Sequence, residues 1–132
     1  MKTRIENYLP AALSIIRQGI GRGNKVAEEY DGYAASLGPA IIASGLLPAI
    51  SFYTDIHKDK DDSKPHRFEI LRIISGVLKN RENIQIAEDK NGLLEFLLTK
   101  SQQERVALKP AIMDAVVAIK LSLRNFKQVK SN

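Results

Sequence analysis

Between Asp31 and Asp55 the chain carries no charged residue, and within that interval Pro39, Ile41, Ile42, Gly45, Leu46, Leu47, Pro48, Ile50, Phe52 and Tyr53 form its most distinctive pattern. Such a run has to leave water, either in a bilayer or in the interior of a helical domain. From Gly32 to Thr54 it is long enough to span a membrane, since a spanning helix needs about 20 apolar residues. Composition decides against that. Gly32, Ser36, Gly38, Pro39, Ser44, Gly45, Pro48 and Ser51 break the apolar surface, and the flanks lack the uneven Lys/Arg balance of membrane loops: Glu28, Glu29 and Asp31 on one side, mixed charges from Asp55 to Asp62 on the other. Gly45 suits the position that ends one helix, and Pro48 suits the first turn of the next. The run therefore predicts a buried helix-corner-helix.

The rest of the chain fits a soluble α-domain. At 132 residues, 44% apolar and 27% charged, residues 1–132 predict a single domain able to bury its own core. No cysteine is present, which removes disulfides, thiolate nucleophiles and cysteine-based metal sites, and fits a reducing compartment. Lys2, Arg4, Glu6 and Pro10 interrupt the start before any sustained apolar stretch, unlike a signal peptide, so the expected location is cytoplasmic.

Periodicity predicts an all-α, compact bundle of five or six helices ending in a long one. Thr3 and Glu6 have capping-box spacing ahead of Ile5, Leu9, Leu13, Ile16 and Ile20, predicting a first helix over Arg4–Gln18, with Pro10 a candidate kink. Gly19, Gly21 and Gly23 end it. Asn24 is then expected to cap a second helix through Val26, Tyr30, Tyr33 and Leu37 to Ser44, interrupted or kinked near Gly38 and Pro39. A third begins near Pro48. Asp55–Lys64 reads as a solvated loop, and Ser63 with Pro65 as the start of a helix carrying Phe68, Leu71, Ile74 and Leu78. Asn80–Asn91 reads as irregular, Gly92–Leu98 as a short helix, and Ser101 with Glu104 as a second capping box before the last helix.

The last segment holds the charge that matters. The chain's net charge is +5, and from Arg105 onward Arg105, Lys109, Lys120, Arg124, Lys127 and Lys130 face only Asp114. On one continuous helix these cations share an arc of about 120°, beside Leu108, Ile112, Ala115, Ile119 and Phe126. Two readings stay open. Such a stripe can track a nucleic-acid backbone through counterion release, or it can be a solvated face with cations favoured near a helix C-terminus. Pro110 bears on the choice, because a break there puts Arg105 and Lys109 out of line.

Other constellations are weaker. Gly19, Gly21 and Gly23 with Arg22 and Lys25 suggest a phosphate-cradling loop, but no strand precedes them and P-loop spacing is absent, so a connector is the expectation. His57 among Asp55, Asp59, Asp61 and Asp62 lacks the glycine and final glutamate of an EF-hand, and His66 reads as a surface residue at a helix start. No nucleophile, base and acid converge, no metal site or cofactor is implied, and the chain is not expected to be an enzyme.

Glu28, Glu29 and Tyr30, then Pro39, Ile41, Ile42, Ser44, Gly45, Leu46 and Leu47, and finally Ile50, Ser51 and Phe52 resemble the central signature of the small helical subunit of the type III-B CRISPR Cmr effector complex. In that family a proline-containing helix ends in a Ser/Asn-Gly-Leu corner, and Arg124 with Phe126 is similar to its Arg-x-x-Phe or Arg-Phe ending. Pro39, Gly45, Leu46 and Phe52 carry the structural motif. The resemblance implies a non-catalytic subunit that stacks with copies of itself and with other Cmr subunits along guide RNA and target RNA, without a membrane. Lys120, Arg124, Lys127, Lys109 and Arg105 are then the expected backbone contacts, since phosphate contacts position without specifying sequence. Two rivals come from other classes. One is a helical adaptor docking an acidic protein; the other is a small DNA-binding regulator, for which the corner's Leu47, Ala49 and Ile50 are too apolar to read base edges.

Overall fold

The computed structural model describes residues 2–54 and 64–131. In chain order these form α1 (Arg4–Gln18), β1 (Lys25–Ala27), α2 (Glu28–Ser44), α3 (Leu46–Thr54), α4 (Phe68–Glu82), α5 (Gly92–Leu98), α6 (Gln102–Leu123) and β2 (Lys127–Val129). The architecture is all-α, with one small two-stranded sheet among the described residues. The acidic stretch around His57 lies outside the described residues, as does Ser63.

Helix α6 is the axis, packing against α1, α2 and α4, while α5 closes one end over α3 and α4. The buried side chains form one apolar cluster, with Tyr8 and Ile16 from α1, Leu37 and Ile41 from α2, and Ile50 from α3. From the remaining helices come Ile74, Leu97, Ile112 and Ile119. In α4 the residues from Ile70 to Leu78 are buried except Arg72, because this helix meets neighbours on several sides; the expected row of Phe68, Leu71, Ile74 and Leu78 is only part of its apolar surface. The stripe of α1 is also shifted from expectation. Tyr8, Ala11, Ala12 and Ile16 are buried, whereas Ile5, Leu9 and Leu13 flank them partly covered, since α1 sits in the groove between α4 and α6.

The corner at Gly45 follows the sequence closely. Gly45 ends α2 with φ of 97°, a conformation costly for any residue with a Cβ, and its N–H donates to Ile41 O at 2.9 Å. Helix α3 starts at the next residue, so Pro48 falls in its first turn, where an N–H has no intrahelical acceptor.

The expected interruption near Gly38 and Pro39 and the break considered at Pro110 are corrected. Pro10, Pro39 and Pro110 each lie inside a continuous helix. All three are exposed, as are Glu6, Ala35 and Val106 four residues earlier, so each proline lies on a solvent-facing side of its helix, where a carbonyl robbed of its donor costs least. Pro65 does not open α4 either: it is buried ahead of the helix, which begins at Phe68.

Both capping boxes are present. In the second, Ser101 Oγ accepts from Glu104 N at 3.1 Å and Ser101 N donates to Glu104 Oε1 at 2.9 Å. These bonds hold the Glu104 carboxyl below its ordinary pKa. The sign follows: a depressed folded-state pKa contributes stability above the ordinary carboxylate range, lost as pH falls through the folded value. Ser101→Ala is expected to lower stability by about 1 kcal/mol at neutral pH, read as a urea midpoint. Its deficit should shrink in acid as Glu104 protonates in both proteins.

Candidate nucleic-acid interface

The largest departure from expectation lies where the chain's two ends meet. Asn24 does not cap a helix: Gly23 and Asn24 have φ of 56° and 62°, and Arg22 and Lys25 exchange both backbone hydrogen bonds at 2.9 Å. Two consecutive left-handed residues between a bonded pair are what a type I′ turn demands. The strand that leaves this turn, Lys25–Ala27, is then met by Lys127–Val129 running parallel, with Lys25 opposite Lys127, Val26 opposite Gln128 and Ala27 opposite Val129. Lys127 N opens the ladder by donating to Asn24 O at 2.8 Å.

This pairing corrects the expected course of the last helix, which stops at Leu123 rather than running to Lys130. Its final carbonyls are taken up locally. Asn125 Nδ2 donates to Leu121 O at 3.3 Å, and Gln128 Nε2 donates to Leu123 O at 3.1 Å. Phe126, only 6% exposed, then folds back into the core. It packs over Gly21, where an added Cβ would stand 2.7 Å from Phe126 Cε2 and 3.1 Å from Ile16 Cγ2, so this close approach requires glycine. The Gly-rich connector is therefore a fixed receptor for the chain's last segment.

The result is a cationic clasp. Lys25 and Lys127 are both exposed and occupy paired positions. Like charges directly opposite each other on a sheet are destabilising. Arg22 stands on the turn, and Arg124 caps the end of α6. None of Arg22, Lys25, Arg124, Lys127 and Lys130 forms a salt bridge among the described residues, where the pairs are Arg4–Asp114, Arg72–Glu69 and Lys79–Glu88. Sequence reasoning missed Arg22 and Lys25 as partners of Lys127. The signal that finds them is the Gly23-Asn24 dipeptide, a hairpin-turn pair.

The other expected contacts sit elsewhere. Arg105 is half-buried and donates through Nη1 to Leu97 O at 3.2 Å and Lys100 O at 2.8 Å, tying off the C-terminal end of α5. Lys109, also half-buried, shares a groove with Leu46, Leu47 and Val106. Lys120 is half-buried near the far end of α6. Helical rise puts Arg105 and Arg124 about 28 Å apart along the axis, so the cations of α6 itself lie toward its two ends, while Lys127 and Lys130 fall beyond the helix. Of the motif residues, Pro39 is exposed on α2, Leu46 packs partly against the core, and Phe52 is 53% exposed with the Arg67 guanidinium 4.5 Å above its ring centroid.

Among the described residues no helix is long and apolar enough to cross a membrane, and no three metal-ligating side chains gather. A family model described as CRISPR-associated protein (Cas_Cmr5) matches residues 4–121. No curated protein and no solved structure gives a significant match. The matched span runs from the first residue of α1 into the last turn of α6, with β2 beyond it. With nearly all of the helical framework inside that span, the chain belongs to the Cmr5 family, that of the small subunit of the type III-B CRISPR Cmr effector.

Proposed function

We propose that this chain is a non-catalytic, cytoplasmic subunit acting as one helical domain, which lays cations along the RNA of the effector. Family membership implies a place in the Cmr complex with other Cmr subunits and CRISPR RNA; the contacts with guide and target RNA are the proposal. One observation carries it: the β1–β2 pair sets Lys25 against Lys127 with Arg22 and Arg124 on the same segments, and no acid bridges any of them among the described residues. An arrangement that repels itself is stabilised by an anion, and a phosphate chain supplies a row of them. Lys120 extends this group along α6, while Lys109 and Arg105 form the second, less exposed group. Contacts with neighbouring subunits, including copies of itself, are assigned to the exposed apolar side chains Ile42, Phe52, Leu98 and Val106, which are 71%, 53%, 60% and 65% exposed.

The test is a titration of single-stranded RNA at several salt concentrations with the Lys120→Ala/Arg124→Ala/Lys127→Ala variant. Affinity should fall to a similar extent for unrelated sequences, with a salt slope shallower by about 0.7 for each phosphate no longer neutralised. An unchanged affinity and slope would remove the end of α6 from the RNA-facing surface. Equal competition by RNA and by an acidic polypeptide would favour the adaptor reading.

A further inference from the structure

Beside the clasp, four separate segments enclose a cavity of about 620 Å³: the α1–β1 connector, the start of α2, the approach to α4 and the end of the chain at Ser131. Its volume lies in the range of small-ligand sites. Three cations reach it, Arg22 from the α1–β1 connector and Lys64 and Arg72 from the approach to α4 and its first turns. Arg72 is held in place, donating through Nη1 to Glu69 Oε1 at 2.7 Å and through Nε to Glu88 O at 3.2 Å. Arg22 and Lys64 are exposed and have no salt bridge among the described residues. One part of the wall is apolar, formed by Ile20, the buried Pro65, and Phe68, whose ring stacks on His66 with centroids 5.0 Å apart and an interplanar angle of 17°; Glu69, engaged by Arg72, and Ser131 supply polar groups elsewhere on it. The buried Tyr30 adds a phenol, pushed up to about 12 mainly by burial and then by Glu69, so it stays neutral in the working pH range.

Arg22 and Lys64 at the mouth with no acid bridging either among the described residues, an apolar and aromatic stretch of wall, and a volume fit for a nucleotide do not suit a plain anion site, which needs no stacking surface. We propose that this cavity holds one nucleoside monophosphate unit, its phosphate between Arg22 and Lys64 and its base against Ile20, Pro65 and Phe68. The unit is either a nucleotide turned out of a bound RNA strand or a free nucleotide. The first source rests on the RNA-binding reading above; the recognition chemistry does not. Because Arg22 belongs to both the turn and the cavity, a strand lying on Lys25 and Lys127 has a neighbouring pocket into which one nucleotide can swing.

The probe is uridine 5′-monophosphate, followed by amide NMR of the full chain, with uridine and inorganic phosphate as separate arms. The monophosphate should saturably shift Arg22, Tyr30, Phe68 and Arg72, binding at least about tenfold more tightly than either fragment. Arg22→Ala/Lys64→Ala should weaken it by about tenfold without changing the thermal midpoint, since neither side chain has an ion pair among the described residues. If single-stranded RNA then displaces the monophosphate, the RNA strand is the source; if RNA binds without displacing it, the cavity serves a free nucleotide. No saturable shift up to about 10 mM, or phosphate binding as well as the monophosphate, overturns the proposal. RNA affinity that still depends on Lys25 and Lys127 in that event leaves the RNA-binding reading standing. A monophosphate that binds here to a chain with no salt-dependent RNA affinity shows the reverse.

Discussion

Gly92→Ala should lower the stability of this chain by about 3 kcal/mol or more, a drop of about 10 °C in Tm for a domain of this size. Gly92 is the first residue of α5 and is buried; an ideal Cβ built there would lie 1.8 Å from Ala87 O and 2.7 Å from Ala87 C. Those are backbone atoms, so no rotamer change relieves the clash. The loop before α5 is also poorly placed to retreat. Ile86 is buried, Glu88 O accepts from Arg72 Nε, Glu88 Oε2 pairs with Lys79 at 3.4 Å, and Asp89 O accepts from Gly92 N at 3.2 Å. Relief therefore means losing either the start of α5 or the loop's seat on α4. With typical stabilities of about 5–15 kcal/mol, a loss of this size is a large share of the total. The measurement is a thermal or urea melt, and a midpoint within about 2 °C of the parent would contradict the packing described for this loop.

The second large effect separates function from folding. Lys25→Glu should reduce affinity for single-stranded RNA by about tenfold at about 0.1 M salt, because it removes one phosphate contact and places a repelling charge beside another. Its stability should move the other way or not at all. The introduced carboxylate would face Lys127 across the parallel pair, replacing a like-charge position with an opposite-charge one, and such cross-strand pairs contribute about 0.2–1 kcal/mol. Adding Lys127→Glu restores like charges, of the wrong sign for RNA, and should deepen the loss to about a hundredfold while giving back the small stability gain. Stability and binding changing in opposite directions cannot come from partial unfolding. Matched melts and RNA titrations of the single and double variants check this.

How much of this was legible in the residues differs between the framework and the surface. Local chemistry marked the framework: Thr3 with Glu6 and Ser101 with Glu104 start α1 and α6, and Gly45 ends α2. The prolines misled because their effect depends on whether the orphaned carbonyl meets water, a property of the packed structure. The clasp was hidden for another reason. Each strand is three residues long, too short for an alternating pattern to register, and its partner lies at the other end of the chain. The helical periodicity of the last segment continues through Phe126 and Lys130, so nothing in spacing alone shows that Asn125 and Gln128 tie off α6 and free Lys127 for a ladder. Charge was readable from sequence; its gathering with Arg22 and Lys25 was a product of the fold. The family match through residue 121 covers nearly all of the helical framework together with Arg22 and β1, and stops short of Arg124 and β2, the other half of the clasp.

The most direct measurement of the central claim is the slope of log affinity against log salt for single-stranded RNA, compared between the parent and the Lys25→Glu/Lys127→Glu variant. If the clasp faces phosphate, the variant's slope should be shallower by about 1.4, from two contacts at about 0.7 each, with the thermal midpoint preserved. Parallel slopes and equal affinities in a folded variant would contradict it, and would move the RNA-facing surface away from the meeting point of β1 and β2.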